Sequence, residues 1–136
     1  MYPEYLVAPM RQELTSAGFQ DLRTSEEVDQ AIESKGTVLV MVNSVCGCAA
    51  ANARPAAKIS TQFEKHPDKF VTVFAGMEKE AVDKARAHML PYPPSSPSIA
   101  LFKDGKLVHM IVRHQIEGRP AQMIADNLNQ AFDQFC

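Results

Sequence analysis

The sequence predicts an α/β fold, with one mixed central β-sheet flanked by helices and a helical extension at the N-terminus. Three observations lead there. TVLVMV (37–42) and FVTVFA (70–75) are short, β-branched apolar runs without alternation, the pattern of strands covered on both faces in a parallel sheet. Helix-length sequence separates them, which makes a βαβ unit with a right-handed crossover. Further on, SIALF and LVHMIV are joined through KDGK, and Asp-Gly between two strand-like runs signals an antiparallel hairpin.

The other elements follow in chain order. Leu6, Met10 and Leu14 recur every four residues before Gly18 and predict the N-terminal helix, although Pro9 leaves its start open. TSEEVDQAIES begins with Thr24 three residues before Glu27, a capping box, and then sets Val28, Ala31 and Ile32 on one helical face. After the second strand, Ala81, Val82, Ala85 and Met89 mark another helix, ended by PYPPSSPS, a rigid loop holding four of the nine prolines. Ile124, Leu128, Phe132 and Phe135, behind Pro120, form a C-terminal amphipathic helix that must cover one face of the sheet. With 46% hydrophobic and 22% charged positions in 136 residues, the chain suits a single domain spanning residues 1–136.

Charge and composition narrow the function. Fourteen Lys and Arg against sixteen Asp and Glu give a net charge of −2 without long single-sign runs, which argues against a nucleic-acid stripe and against a polybasic membrane anchor. No apolar stretch reaches the roughly 20 residues that span a bilayer. MYPEYLVAPMRQE lacks the basic and apolar regions of a signal peptide, so the expected location is the cytoplasm. Thiols are kept reduced there, and a close cysteine pair then points to catalysis or metal binding rather than to a structural staple.

Such a pair lies in NSVCGCAAANARPAA (43–57). Behind a strand ending near Asn43, Cys46 falls in the first turn of the next helix, where unpaired N–H groups and the helix dipole favour a thiolate. Cys46 is therefore the expected nucleophile, with Ser44, Asn43 and the N–H groups of Gly47 and Cys48 as its local hydrogen-bond partners. Cysteines two apart meet the Cα separation of a disulfide, about 4.4–6.8 Å, only in a bent backbone. Gly47 lowers the strain of that ring without removing it, so a Cys46–Cys48 bond would be an intermediate of turnover. Either Cys48 or an external small thiol would then complete the exchange. Pro55, about two turns into the helix, should remove one backbone hydrogen bond and bend it; Arg54 beside it could help hold a thiolate by charge, but reads rather as a solvated surface arginine. Pro97, in SSPS before the third main strand, is a candidate cis proline that spacing alone leaves open.

Rival chemistry has thinner support. Structural zinc takes four protein ligands and catalytic zinc usually three. Beyond the thiol pair only Cys136 and four scattered histidines remain, and His66, His88, His109 and His114 lack paired ligand spacing, so no metal site is expected. Cluster binding by a dimer through Cys46 and Cys48 stays as an alternative. Glu117 and Arg119, in IEGR, read as turn and helix-entry chemistry, and terminal Cys136 as a spectator thiol, with an additional resolving thiol as the alternative.

Taken with TVFAGMEKEA, PPSSPSIALF and the IEGR turn, NSVCGCAAANARPAA resembles the bacilliredoxin family, also described as thioredoxin-like CGC disulfide isomerases, nearly end to end. The resemblance implies a thioredoxin-like fold. It also implies that Cys46 takes bacillithiol, the small thiol that replaces glutathione in some bacteria, from bacillithiolated proteins, and that Cys48 or a second bacillithiol resolves the adduct. Implied too are no tightly bound cofactor, bacillithiol as co-substrate, and as partners bacillithiolated or disulfide-containing cytosolic proteins and a recycling reductase. By the same likeness Pro97 is the cis proline beside the active site, and Ser96 offers backbone to an extended substrate; Ser44 and Gly47 complete the substrate-binding set. Ala51-Asn52 stand where some members have Gly-Leu, a departure that touches substrate contacts more than chemistry, while Cys136 matches the family. A general protein disulfide reductase or isomerase, or a metal or iron–sulfur carrier on the same thiols, stays open as an alternative.

Overall fold

The central strand explains the architecture. In the computed structural model, which describes residues 1–136, β2 (Thr37–Asn43) is buried along its whole length. It has a strand on either side and helices over both faces, as its unbroken apolar sequence requires. Parallel β3 (Lys69–Phe74) pairs with it from Val38↔Lys69 to Asn43↔Phe74, and antiparallel β4 (Ser98–Lys103) from Thr37↔Lys103 to Val42↔Ser98. β5 (Lys106–Ile111) completes the hairpin with β4, and β1 (Gln20–Asp21) adds to the far edge of β3, giving the order β1-β3-β2-β4-β5. The mixed sheet expected from the sequence is present. Asp104 (φ 50°) and Gly105 (φ 81°) both take positive φ in the connection between β4 and β5, the geometry that makes Asp-Gly a hairpin turn.

Alternate side chains of β2 serve two cores. Leu39 and Met41 face α1 (Glu4–Thr15), α3 (Arg54–Ser60) and α5 (Ala121–Phe135), whose Leu14, Ala57, Leu128 and Phe132 are fully buried. Val38, Val40 and Val42 face α2 (Ser25–Glu33) and α4 (Lys79–His88) on the other side. The Thr24–Glu27 capping box at α2 is formed in both directions, with 3.1 Å in each. No helix is long and apolar enough to cross a membrane.

Three details differ from expectation. The buried face of α1 is Val7, Arg11 and Leu14, and Leu6 is exposed. Arg11 rotates the helix toward the core because its guanidinium finds Glu4 (3.1 Å), Asp21 (3.2 Å) and Glu78 (2.9 Å) and lies 5.2 Å over the ring of Phe74. β1 went unread, since two polar residues show no period; pairing with Val71 and Thr72 makes it a strand. The strain expected at Pro55 is absorbed upstream, where Ala49–Ala53 winds as a wider π-turn before α3 begins at Arg54. A widened turn already displaces the regular hydrogen-bond ladder, so a residue without N–H costs less just behind it.

Candidate active site

Cys46 stands where β2 hands over to the helical segment that becomes α3. Its carbonyl accepts from the N–H of Ala49 (3.0 Å) and Ala50 (3.2 Å), so Cys46 opens that segment as the sequence implied. The chain between β2 and Cys46 is held from below. Asn43, fully buried, donates to the Met10 carbonyl and accepts at Oδ1 from the Ser44 N–H (2.9 Å) and from Arg54 Nη1 (3.0 Å). Arg54 Nη1 also donates to the Ser44 carbonyl (2.8 Å), and Arg54 Nε to Glu13 (2.7 Å).

Arg54 is thus a 2% exposed anchor of the loop under the thiols, not the solvated surface residue expected. Its physical reason is local: the Ser44 carbonyl leaves the sheet without a strand partner, and a forked donor on the next helix fills that need. Ser44 Oγ in turn accepts from the Cys46 N–H at 3.3 Å.

The two sulfurs lie 2.7 Å apart, both free and both half-buried. Burial pushes the Cys46 thiol up. Hydrogen bonds from the Cys48 thiol, the Ala49 N–H, Ser44 and the Cys48 N–H outweigh it and hold Cys46 below the ordinary thiol value. Cys48 moves the opposite way: burial, its hydrogen bond to Cys46 and the Cys46 charge raise it, Glu117 adds to this and Arg113 opposes it. The two thiols therefore shift in opposite directions: Cys46 ionises more readily, and Cys48 is the thiol that donates to it.

A labelling experiment checks this division. Limiting iodoacetamide at neutral pH should alkylate Cys46 before Cys48 in the reduced protein, with a pH midpoint for Cys46 below that of a free thiol. Cys48→Ala removes a donor to the charged form, so the midpoint should move up; an unmoved midpoint would show that Cys48 does not set it.

With both thiols free, Gly47 has no positive φ and a Cβ there would meet nothing within 4 Å, so the reduced backbone does not itself require a glycine. Cys46 shares a pocket with Ser96, in the loop before β4, where the Ser96–Pro97 peptide is cis, as is Leu90–Pro91. The Ser96 carbonyl accepts from Arg113 Nη1 (3.1 Å), and Arg113 Nε is bound by Glu117. Arg113, in a short 3₁₀ turn after β5, thus bridges the proline loop to the neighbourhood of both sulfurs. Sequence reading missed this arginine and treated Glu117 as turn chemistry; VRHQIEGR shows a cluster of charge but nothing that places it beside residues 46–48.

Other candidate ligands lie elsewhere. His88 bonds Asp29, His109 bonds Asn127 and His66 meets the Pro67 carbonyl, none of them with a thiol. Asp29, Glu33 and His88 come together on α2 and α4, but Asp29 is already engaged by Lys84 and His88. Cys136 sits by Thr37, Asp68 and Lys103, at the start of β2, whereas Cys46 follows its end. Seven strand residues span about 20 Å, so Cys136 cannot bridge to the pair within one chain.

Known proteins resemble this chain in sequence and in fold. A bacilliredoxin of Cytophaga hutchinsonii is 56% identical over 134 residues, covering 98% of this chain and 99% of the relative. One from Halalkalibacterium halodurans is 54% identical, covering 99% and 94% respectively. A mutant thioredoxin of Halobacterium salinarum superposes with a TM-score of 0.63 at 16% identity, over 88% of this chain and 91% of that one, a likeness of fold. The family described as disulphide isomerase matches residues 2–136. With its thioredoxin fold, its cysteine pair at a helix start and these relatives, the chain belongs to the bacilliredoxin family of thiol–disulfide oxidoreductases.

Proposed function

We propose that this oxidoreductase removes bacillithiol from S-bacillithiolated proteins. The observation that carries the reading is the unequal thiol pair: Cys46 is lowered and Cys48 raised, 2.7 Å apart, with Cys46 on the wall of a pocket that Ser96 also lines. The family kinship supports the identity of the small thiol.

The Cys46 thiolate attacks the bacillithiol sulfur of the mixed disulfide. A Cys46–bacillithiol disulfide forms, the protein–bacillithiol disulfide breaks, and the substrate cysteine leaves as a thiolate that takes up a proton. Cys48, after losing its proton, displaces bacillithiol from Cys46 and leaves a Cys46–Cys48 disulfide. A second bacillithiol can instead attack the adduct, giving oxidised bacillithiol and free Cys46. The closed disulfide of the first route needs a dithiol reductase to return it to the reduced state. Cytosolic bacillithiolated proteins are the substrates in this reading, and bacillithiol is a co-substrate rather than a resident cofactor.

Intact-mass analysis tests it. Reduced Cys48→Ser incubated with a bacillithiolated protein should gain one bacillithiol at Cys46 while the substrate loses its adduct. A substrate that keeps its adduct while an ordinary protein disulfide is reduced would replace this reading with a general reductase or isomerase.

A further inference from the structure

Beside Cys46 lies a pocket of about 360 Å³, a volume suited to a small ligand. Tyr2, Ser44, Cys46, Arg86, Ser96 and Arg113 contribute to its wall, and no Asp or Glu does. It therefore presents a nucleophilic sulfur and two permanent positive charges with no carboxylate of its own. Arg113 is partly neutralised by Glu117. Arg86 forms no ion pair, and its buried Nε has no hydrogen-bond partner. Asp83, one turn earlier on α4, is taken by Lys79 at 2.6 Å.

A buried N–H donor without a partner is costly unless something fills it, and the rest of this half-buried guanidinium is free to bind as well. Arg86 and Gly76 also line a neighbouring hollow of about 370 Å³ that does not include Cys46, so Arg86 stands where the thiol pocket meets that hollow. A ligand whose sulfur reacts at Cys46 would meet Arg86 through a different group. Planar donors such as Arg favour carboxylates, which they bind through paired hydrogen bonds.

We infer that Arg86 selects the small-thiol half of the substrate by binding carboxylate at its non-reacting end. The inference rests on the bacillithiol reading, since bacillithiol carries its carboxylates on a malyl group away from the thiol. Arg113 contributes charge nearer the sulfurs, and Tyr2, whose ring packs over Gly76, closes the side of the pocket. A thiol without charge would find the same sulfur but no partner for Arg86.

The experiment compares one test protein capped at a single cysteine with bacillithiol or with 2-mercaptoethanol, using wild type, Arg86→Gln and Arg86→Lys. The quantity read is the ratio of kcat/KM for the two caps. Losing one charge-assisted contact should lower that preference about tenfold or more in Arg86→Gln. The change should lie mainly in KM for the bacillithiol cap, with partial recovery in Arg86→Lys. If wild type clears bacillithiol and Arg86→Gln keeps the same preference, the inference falls while the proposed function stands. Equal losses for both caps would also overturn it, because they would assign Arg86 a structural role. If wild type fails to clear bacillithiol but clears 2-mercaptoethanol, the proposed function falls and takes this inference with it.

Discussion

Cys46→Ser should reduce thiol–disulfide exchange by on the order of 10³-fold or more, the scale on which loss of a nucleophile acts. A serine hydroxyl is not ionised near neutral pH and cannot form the mixed disulfide. The substitution should leave the fold intact, because Cys46 is half-buried and its backbone, rather than its sulfur, opens the helical segment. Release of the substrate thiol from a bacillithiolated protein, followed by mass, measures the loss, and the thermal midpoint checks the fold. Cys48→Ser should behave differently, since the first exchange needs only Cys46 while the thiol that resolves the adduct must then come from outside. If Cys46→Ser kept a tenth of the wild-type rate, Cys48 would have to be the attacker, against the raised position of its thiol.

Arg54→Met is the second large effect, and it acts on stability before activity. The substitution keeps a long stem of similar shape but withdraws donors from the Ser44 carbonyl, Asn43 Oδ1 and Glu13. Breaking a buried charged network on one side costs about 3–5 kcal/mol, which for a chain of this size lowers the thermal midpoint by roughly 10 °C or more. Were Arg54 the surface residue that its sequence suggests, the change would stay within about 0.5 kcal/mol. Arg54→Lys should fall between, because one ammonium cannot serve all three acceptors with the geometry of a fork. Exchange should slow as well, since Ser44 Oγ accepts from the Cys46 N–H and the position of Ser44 depends on Arg54. Differential scanning calorimetry on the reduced protein decides between these outcomes.

These two residues also show what the sequence displays and what it conceals. Cys46 was visible because its signal is local: an apolar strand, a short loop and a helix start fall within a dozen residues. The same holds for the Thr24–Glu27 box and the Asp104–Gly105 turn, each defined by neighbours in the chain. Arg54 was hidden because its acceptors lie on two other segments, α1 and the end of β2, and nothing in ARPAA distinguishes a guanidinium that turns inward. Arg11 failed for the same reason, with partners at Asp21 and Glu78 that only the folded chain assembles. Arg113 and Arg86 reach the thiol pocket from the second half of the chain, through a 3₁₀ turn and a helix whose periodicity reports burial but not which site its long side chains overlook. Hydrophobic period reads the layers well; a buried or pocket-lining charge is read only once its partners are in place.

The position of Cys136 has a practical use. Since β2 separates it from the reacting pair, closing the Cys46–Cys48 bond leaves one countable sulfhydryl per chain at the opposite pole of the sheet. Titrating that group provides an internal standard for how much protein is oxidised. A dye or surface linker attached there would report on, or hold, the molecule with its reactive face turned outward.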